Sequence, residues 1–110
     1  MSLRRKRRLR WIRLGLARYE LRWTTEGLRE GEEDGLFEPA DGTIKLHPEL
    51  RDRPEEAFHV LIHELLHALI YTHGPKMSAA REEDLVTRWA MPLAQTLVES
   101  GLVNLREIQL

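Results

Sequence analysis

The residues that could do chemistry are concentrated in one stretch of this sequence, residues 59–74, which reads HVLIHELLHALIYTHG. It places four histidines and one glutamate among apolar residues that are typical of a buried helix. Burying an unpaired imidazole or carboxylate is costly, so such groups persist inside proteins mainly where a partner or a metal compensates them. The stretch is therefore a candidate metal site.

The spacing of His63, Glu64 and His67 predicts the chemistry of that site. Each helical residue advances about 100°, so the two histidines lie about 40° apart and can reach one ion. Glu64 lies about 100° around the helix from His63, near enough to reach a water on that ion. This is the His-Glu-x-x-His arrangement of zinc hydrolases, in which two histidines bind the metal and the glutamate is the general base. His59 is not expected to be a third ligand, because three ligands from one straight helix close a tetrahedron poorly.

The composition limits how such a site can be built. A chain of 110 residues, 42% of them apolar, predicts one domain with a modest core. No apolar run reaches the roughly 18 residues that span a bilayer, and the arginine-rich start lacks the apolar segment of a secretory signal. We therefore expect a cytoplasmic protein. The sequence has no cysteine, so zinc ligands must be His, Glu or Asp.

The start of the chain is strongly basic. Residues 1–13 carry seven Arg or Lys and no acidic residue, whereas the formal net charge of the whole chain is −1. We expect a basic N-terminal arm ahead of a single domain of residues 14–110. Through residues 4–13 the arm could contact nucleic acid or an acidic partner. The alternative is a solubilising terminus, because no base-reading motif accompanies the charge.

Three short strands are predicted ahead of the histidine helix. Apolar and polar residues alternate at 17–24, which is the period of a strand. Two further strands are predicted at 36–38 and 43–47, joined by a turn at Asp41 and Gly42.

Local signals then predict two helices. The histidine helix should begin near residue 53, where Asp52 and Glu55 form a capping-box pattern. It should end near residues 72–73, with Gly74 as a left-handed C-cap residue. Ser78 is a suitable N-cap for the second helix, and Gly101 marks its end.

A catalytic zinc site keeps three protein ligands, so a third ligand is needed beside the two histidines. His73 follows His67 at the spacing of a longer zinc signature, although Ile70 stands where that signature has glycine. Glu82 and Glu83 both lie near the apolar face of the second helix, and either could reach the metal. The residues alone leave these three alternatives open.

Two segments together resemble a known family. HELLH, followed by EDLVTRWA at residues 83–90, resembles the gluzincin pattern, in which a second helix carries Glu-x-x-x-Asp/Asn and then often an aromatic-Ala pair. Residues 42–92 are most similar to small peptidases of the ImmA/IrrE type and to phage-encoded His-Glu-x-x-His proteins. Aligning Trp89 and Ala90 with the aromatic-Ala pair implies that Glu83 is the third ligand. Thr87 then stands where the family has the Asp or Asn that orients a histidine ligand.

The resemblance implies an α+β fold, a minimal zincin. Its small, mostly antiparallel sheet of two or three strands would pack on the histidine helix, with the second helix behind it. In zincins of this kind an edge strand holds an extended substrate, and the strand at 43–47 is expected to have that place.

The implied function is that of a metallopeptidase that binds one zinc ion per chain and cleaves peptide or protein substrates. It would act in the cytoplasm, or in the host cytoplasm if the protein is encoded by a phage. Tyr71 could assist the oxyanion. The alternative is a non-catalytic, zinc-stabilised binding module or phage accessory protein that acts through its basic arm. The presence of Glu64 favours the enzyme, because a purely structural zinc site needs no general base.

Overall fold

The structure, a computed structural model, describes residues 7–31 and 33–110 and has the predicted α+β class. A four-stranded sheet packs on the first of two long helices, the second helix packs against the first, and a separate two-stranded ladder completes the fold. In chain order the elements are β1 (Arg7–Arg8), β2 (Trp11–Leu14), β3 (Ala17–Trp23), β4 (Gly35–Glu38), β5 (Thr43–Leu46), a 3₁₀ helix (Pro48–Asp52), α1 (Pro54–His73), α2 (Ala79–Glu99) and β6 (Ile108–Gln109).

The main sheet has four strands, one more than the two or three that the sequence predicts, and it is mostly antiparallel with one parallel pair. Its strand order is β2-β3-β5-β4, in which β3 and β5 are parallel and the two outer pairs are antiparallel. The expectation that residues 43–47 form an edge strand is wrong, since β5 lies between β3 and β4. All four residues of β5 are buried, as is usual for a strand covered on both faces. The edge strand beside α1 is β4.

The basic arm was predicted to include residues 1–13, and its last residues belong to the sheet. Trp11–Leu14 form β2, which makes an antiparallel hairpin with β3 through a turn at Gly15. Gly15 has a φ of 58°, a conformation that glycine adopts easily. Arg7 and Arg8 pair in parallel with β6. Residues 1–6 lie outside the described part of the chain.

The helix α1 has the predicted extent, but neither of its ends has the predicted form. Asp52 is not an N-cap, because residues 48–52 wind into the 3₁₀ helix, and Arg53 occupies the cap position without a side-chain hydrogen bond. Gly74 is extended rather than left-handed, with φ −85° and ψ 170°. A Cβ atom on Gly74 would lie 2.9 Å from the backbone of Ile70, so the close approach requires glycine there.

The helix α2 begins as predicted and packs along α1. The Ser78 hydroxyl accepts a hydrogen bond from the backbone N–H of Arg81 at 3.2 Å. Its inner face carries Val86, Ala90 and Ala94, all buried, and the small side chains allow the two helices to approach closely. In the described residues, neither helix has the apolar length that crossing a bilayer would require.

The hydrophobic core lies between the sheet and α1. One face of the sheet contributes Tyr19, Leu21, Ile44 and Leu46, and α1 covers it with Phe58, Leu61, Ile62 and Leu66. This packing fixes the rotation of α1 about its axis, and it thereby turns His63 and His67 toward α2 and Glu64 toward β4.

Candidate metal centre

The two histidines of α1 converge on one carboxylate of α2. Nε2 of His63 lies 3.2 Å from Oε1 of Glu83, and Nε2 of His67 lies 3.0 Å from Oε2 of the same residue. One donor atom from each of the three side chains lies within 4.8 Å of the others, so the group could hold a metal ion. Two imidazole nitrogens and one carboxylate oxygen suit zinc.

The adjacent glutamate, Glu82, contacts the other nitrogen of His67. Its Oε2 lies 2.6 Å from Nδ1 of that ring, so it is not in the group that could hold a metal. Histidine ligands commonly donate their second ring N–H to a carboxylate, which fixes the tautomer and orientation of the ring. Of the two alternatives on α2, the structure therefore brings Glu83 to the donor cluster and Glu82 behind it.

Thr87 contacts the candidate ligand rather than a histidine. Its hydroxyl donates to Oε1 of Glu83 at 3.3 Å, one helical turn away. The resemblance to gluzincins implied a residue here that orients a histidine. In this chain Glu82 makes that kind of contact, and Thr87 supports the carboxylate of Glu83.

Glu64 is buried beside the donor cluster, at the edge strand β4. Its Oε1 accepts a hydrogen bond from the backbone N–H of Phe37 at 3.1 Å. Burial raises the pKa of Glu64 to about 7, since the charged carboxylate loses its hydration there. Burial also lowers the pKa of His63, which favours the neutral imidazole that a metal requires.

A cleft of about 560 Å³ opens over these groups. It is lined by the two histidines and Glu64 from α1, Glu82 and Glu83 from α2, residues 35–37 of β4, and Arg29 and Glu33 from the preceding loop. Arg29 lies 3.0 Å from Glu33 in an ion pair at the rim. The donors are thus accessible from one side, as a catalytic site requires.

Gly35 allows β4 to approach α1 closely. A Cβ atom there would lie 2.6 Å from Cγ1 of Val60 and 3.1 Å from Cγ of Glu64. The prediction from sequence missed Gly35 and Arg29. A glycine directly before a short apolar strand was the only available signal, because glycine in a strand often marks a close backbone approach.

Tyr71 and His73, two further candidates from the sequence, lie away from the donor cluster. Tyr71 is exposed and packs edge-on against Phe37, with ring centroids 5.6 Å apart, and it does not line the cleft. The ring of His73 lies at the β2–β3 turn, where a Cβ atom on Gly15 would be 2.7 Å from its Nε2. Because α1 stays helical through residue 73, His73 is turned about 120° from His67 and lies about 9 Å further along the axis.

Comparisons with protein-family models, curated proteins and solved structures give no match to this chain. The resemblance to zincins therefore rests on the sequence motifs that carry it.

Proposed function

We propose that this protein is a zinc-dependent peptidase. The observation that supports the proposal best is the convergence of His63 and His67 from α1 and Glu83 from α2, with Glu64 beside them in an open cleft. The donor set fits zinc in residue type, and it leaves room for substrate on the cleft side.

Bound zinc would supply the Lewis acid that activates water and polarises a scissile carbonyl. Glu64 would move the protons. Its Oε1 is held by the N–H of Phe37, so we assign Oε2 to accept a proton from the attacking water and to deliver it to the leaving amine. Glu82 would keep the Nδ1–H of His67 in place, and Thr87 would hold the carboxylate of Glu83.

The edge strand β4 is the candidate surface for an extended peptide. The N–H of His47 donates to the carbonyl of Asp34 at 2.8 Å, which fixes the pairing of β4 with β5. Because hydrogen-bonded and non-bonded pairs alternate in antiparallel strands, the backbone groups of Gly35 and Phe37 point to the open edge. The N–H of Phe37 bonds Glu64, and the remaining groups could pair with a substrate main chain.

The test begins with the metal and then turns to activity. Protein purified without chelator should contain about one zinc per chain by elemental analysis, and His63→Ala and His67→Ala should lose it. His59→Ala, a substitution on the same helix outside the donor cluster, is the matched control. The zinc protein should then cleave members of a peptide library, with products identified by mass spectrometry.

The outcomes separate the proposal from its alternative. Zinc retained in both histidine variants contradicts the metal site. Stoichiometric zinc without cleavage, together with a fourth protein ligand in the X-ray absorption spectrum, favours the non-catalytic, zinc-stabilised module. We place the activity in the cytoplasm, as the sequence predicts.

A further inference from the structure

The main sheet has a second face, which points away from α1. Side chains alternate across a strand, and Tyr19 and Leu21 of β3 are buried toward α1. Arg18, Glu20 and Arg22 therefore lie on the opposite, outer face.

One half of the outer face is covered by the chain itself. Thr43 and Lys45 of β5 are buried there, although they point away from α1. The loop between β3 and β4 passes over them, and the Cβ position of Gly27 lies 3.4 Å from both Leu36 and the ammonium of Lys45. The half formed by β2 and β3 is different, because its outward side chains Trp11, Arg13, Arg18 and Arg22 are exposed.

Two arginines stand directly opposite each other on the exposed half. Arg13 of β2 pairs with Arg18 of β3 in the antiparallel register. The Arg13 side chain donates to the carbonyl of Gly15 at 3.2 Å, and the Arg18 guanidinium lies over the ring of Trp11, 4.1 Å from its centroid. Within residues 7–31 and 33–110, neither arginine has a carboxylate partner. Like charges at opposed positions repel each other and destabilise a sheet. An anionic ligand bound at these two arginines would offset that repulsion.

The remaining charges on this half also leave an excess of cations. Glu20 forms ion pairs with both Arg22 and Arg10, the latter at 3.7 Å. An adjoining cavity of about 420 Å³ is lined in part by Arg8 and Arg51. We call the surface formed by Arg10, Trp11, Arg13, Arg18, Glu20 and Arg22 the arginine face.

An exposed tryptophan lies among these cations. Trp11 is 43% exposed, and its contact with Arg18 holds the ring on the surface. Unstacked bases pack on aromatic rings presented by a sheet, while arginines contact the phosphates between them. A base-paired duplex keeps its bases stacked and cannot use the ring in this way.

We propose that the arginine face binds single-stranded nucleic acid, with bases on Trp11 and phosphates on Arg13 and Arg18. This activity is separate from the proposed peptidase and lies on the opposite side of the sheet from the cleft. The five consecutive basic residues at positions 4–8 add positive charge at the end of the chain that leads into β2. The contact with nucleic acid that the sequence predicts for residues 4–13 would then extend over the folded surface of β2 and β3.

The test uses the full chain and labelled oligonucleotides of about 15 nucleotides, oligo-dT and oligo-rU, in fluorescence anisotropy titrations from about 50 to 200 mM salt. Arg13→Ala/Arg18→Ala should weaken binding and make the slope of log K against log salt shallower by about 1.4, since about 0.7 is lost for each phosphate contact to a single strand. Trp11→Ala should weaken binding about 10-fold. Trp11→Phe should retain most of the affinity and reduce the quenching of tryptophan fluorescence by the oligonucleotide.

Arg81→Ala/Arg88→Ala is the control, because it removes the same charge from exposed positions on α2. It should leave the slope nearly unchanged. A wild-type protein that binds neither oligonucleotide at low salt, or an Arg13/Arg18 double variant with the slope of the control, overturns the proposal. Equal affinity for a duplex of the same length overturns the proposal in favour of duplex binding. Tighter binding to phosphatidylserine vesicles at equal phosphate concentration overturns it in favour of a lipid surface. The ratio of DNA to RNA affinity identifies the kind of strand that is preferred.

Discussion

Oε2 of Glu82 lies 2.6 Å from Nδ1 of His67, while Nε2 of the same ring faces Glu83 at 3.0 Å. Two neighbouring glutamates thus contact the two sides of one imidazole. Such an arrangement allows one carboxylate to serve as a ligand and the other to orient the ring.

This division predicts different effects for substitutions at the two glutamates. Glu83→Gln should remove most zinc affinity, because it replaces the proposed anionic ligand by a neutral amide. Glu82→Gln should lower zinc affinity about 10-fold, since outer contacts to a histidine ligand commonly contribute 10- to 100-fold. Competition with a chromogenic chelator gives the affinities, and Asp84→Asn on the same helix turn is the control. Equal losses at both glutamates would contradict the assignment.

Glu64→Gln should separate metal binding from hydrolysis. The amide has nearly the same shape, so zinc content and the melting temperature should stay close to those of the wild type. Cleavage of peptides should fall by at least about 100-fold, because an amide cannot accept the proton from water. The measurement is cleavage of the best library peptide at equal zinc occupancy. Activity that survives this change would require another base.

Gly35→Ala should destabilise the protein by about 1–3 kcal/mol, the usual cost of overpacking, because the new methyl group would meet Val60 and Glu64. Urea unfolding measures the loss. Gly31→Asn is the comparison, since a Cβ atom at Gly31 meets nothing within 4 Å and asparagine tolerates its φ of 72°. If both variants unfold at the same urea concentration, β4 is free to move away from α1.

The ion pair between Lys45 and Glu38 predicts a pH dependence of stability. The Lys45 ammonium is buried and lies 2.5 Å from Oε2 of Glu38. Its hydrogen bond to that carboxylate lowers the pKa of Glu38. A carboxylate whose pKa is lowered in the folded state stabilises the protein at pH values above its ordinary pKa of 4.5. This contribution is lost as the pH falls through the lowered pKa. Glu38→Gln should therefore be less stable than the wild type at pH 7, and the difference should shrink in acid.

Urea unfolding at a series of pH values tests this dependence. Glu107→Gln, at an exposed position, serves as the control and should follow the wild-type curve. A constant difference between wild type and Glu38→Gln from neutral pH down to strongly acidic pH would show that the pair has no linked proton.

The helices could be predicted from sequence because their signals are local. The spacing of His63 and His67 and the cap at Ser78 each depend on a few neighbouring residues, and both lie where the sequence places them. The position of β5 could not be predicted, since strand order depends on pairing between residues far apart in the chain. The sequence TIKL has the same pattern whether the strand lies at the edge or in the centre.

The roles of Glu82 and Glu83 were also beyond local reasoning. Both residues lie near the inner face of α2, and a small rotation of that helix decides which carboxylate meets the Nε2 atoms. Packing of Val86 and Ala90 against α1 sets this rotation. His73 was a candidate only by spacing, and the unbroken helix through Ile70 turns it away.

All three candidate ligands lie within one helical hairpin, residues 54–99, whereas the hydrogen bond that holds Glu64 comes from the sheet. Contacts in the hairpin join residues near in sequence, and such contacts form faster than the pairing of β3 with β5 across a long loop. We therefore expect the candidate ligands to come together during folding before the sheet is complete. Glu64, the proposed general base, acquires its environment only when β4 docks on α1. An early folding species with the two helices alone would therefore hold the candidate metal ligands without the buried carboxylate that the proposed hydrolysis needs.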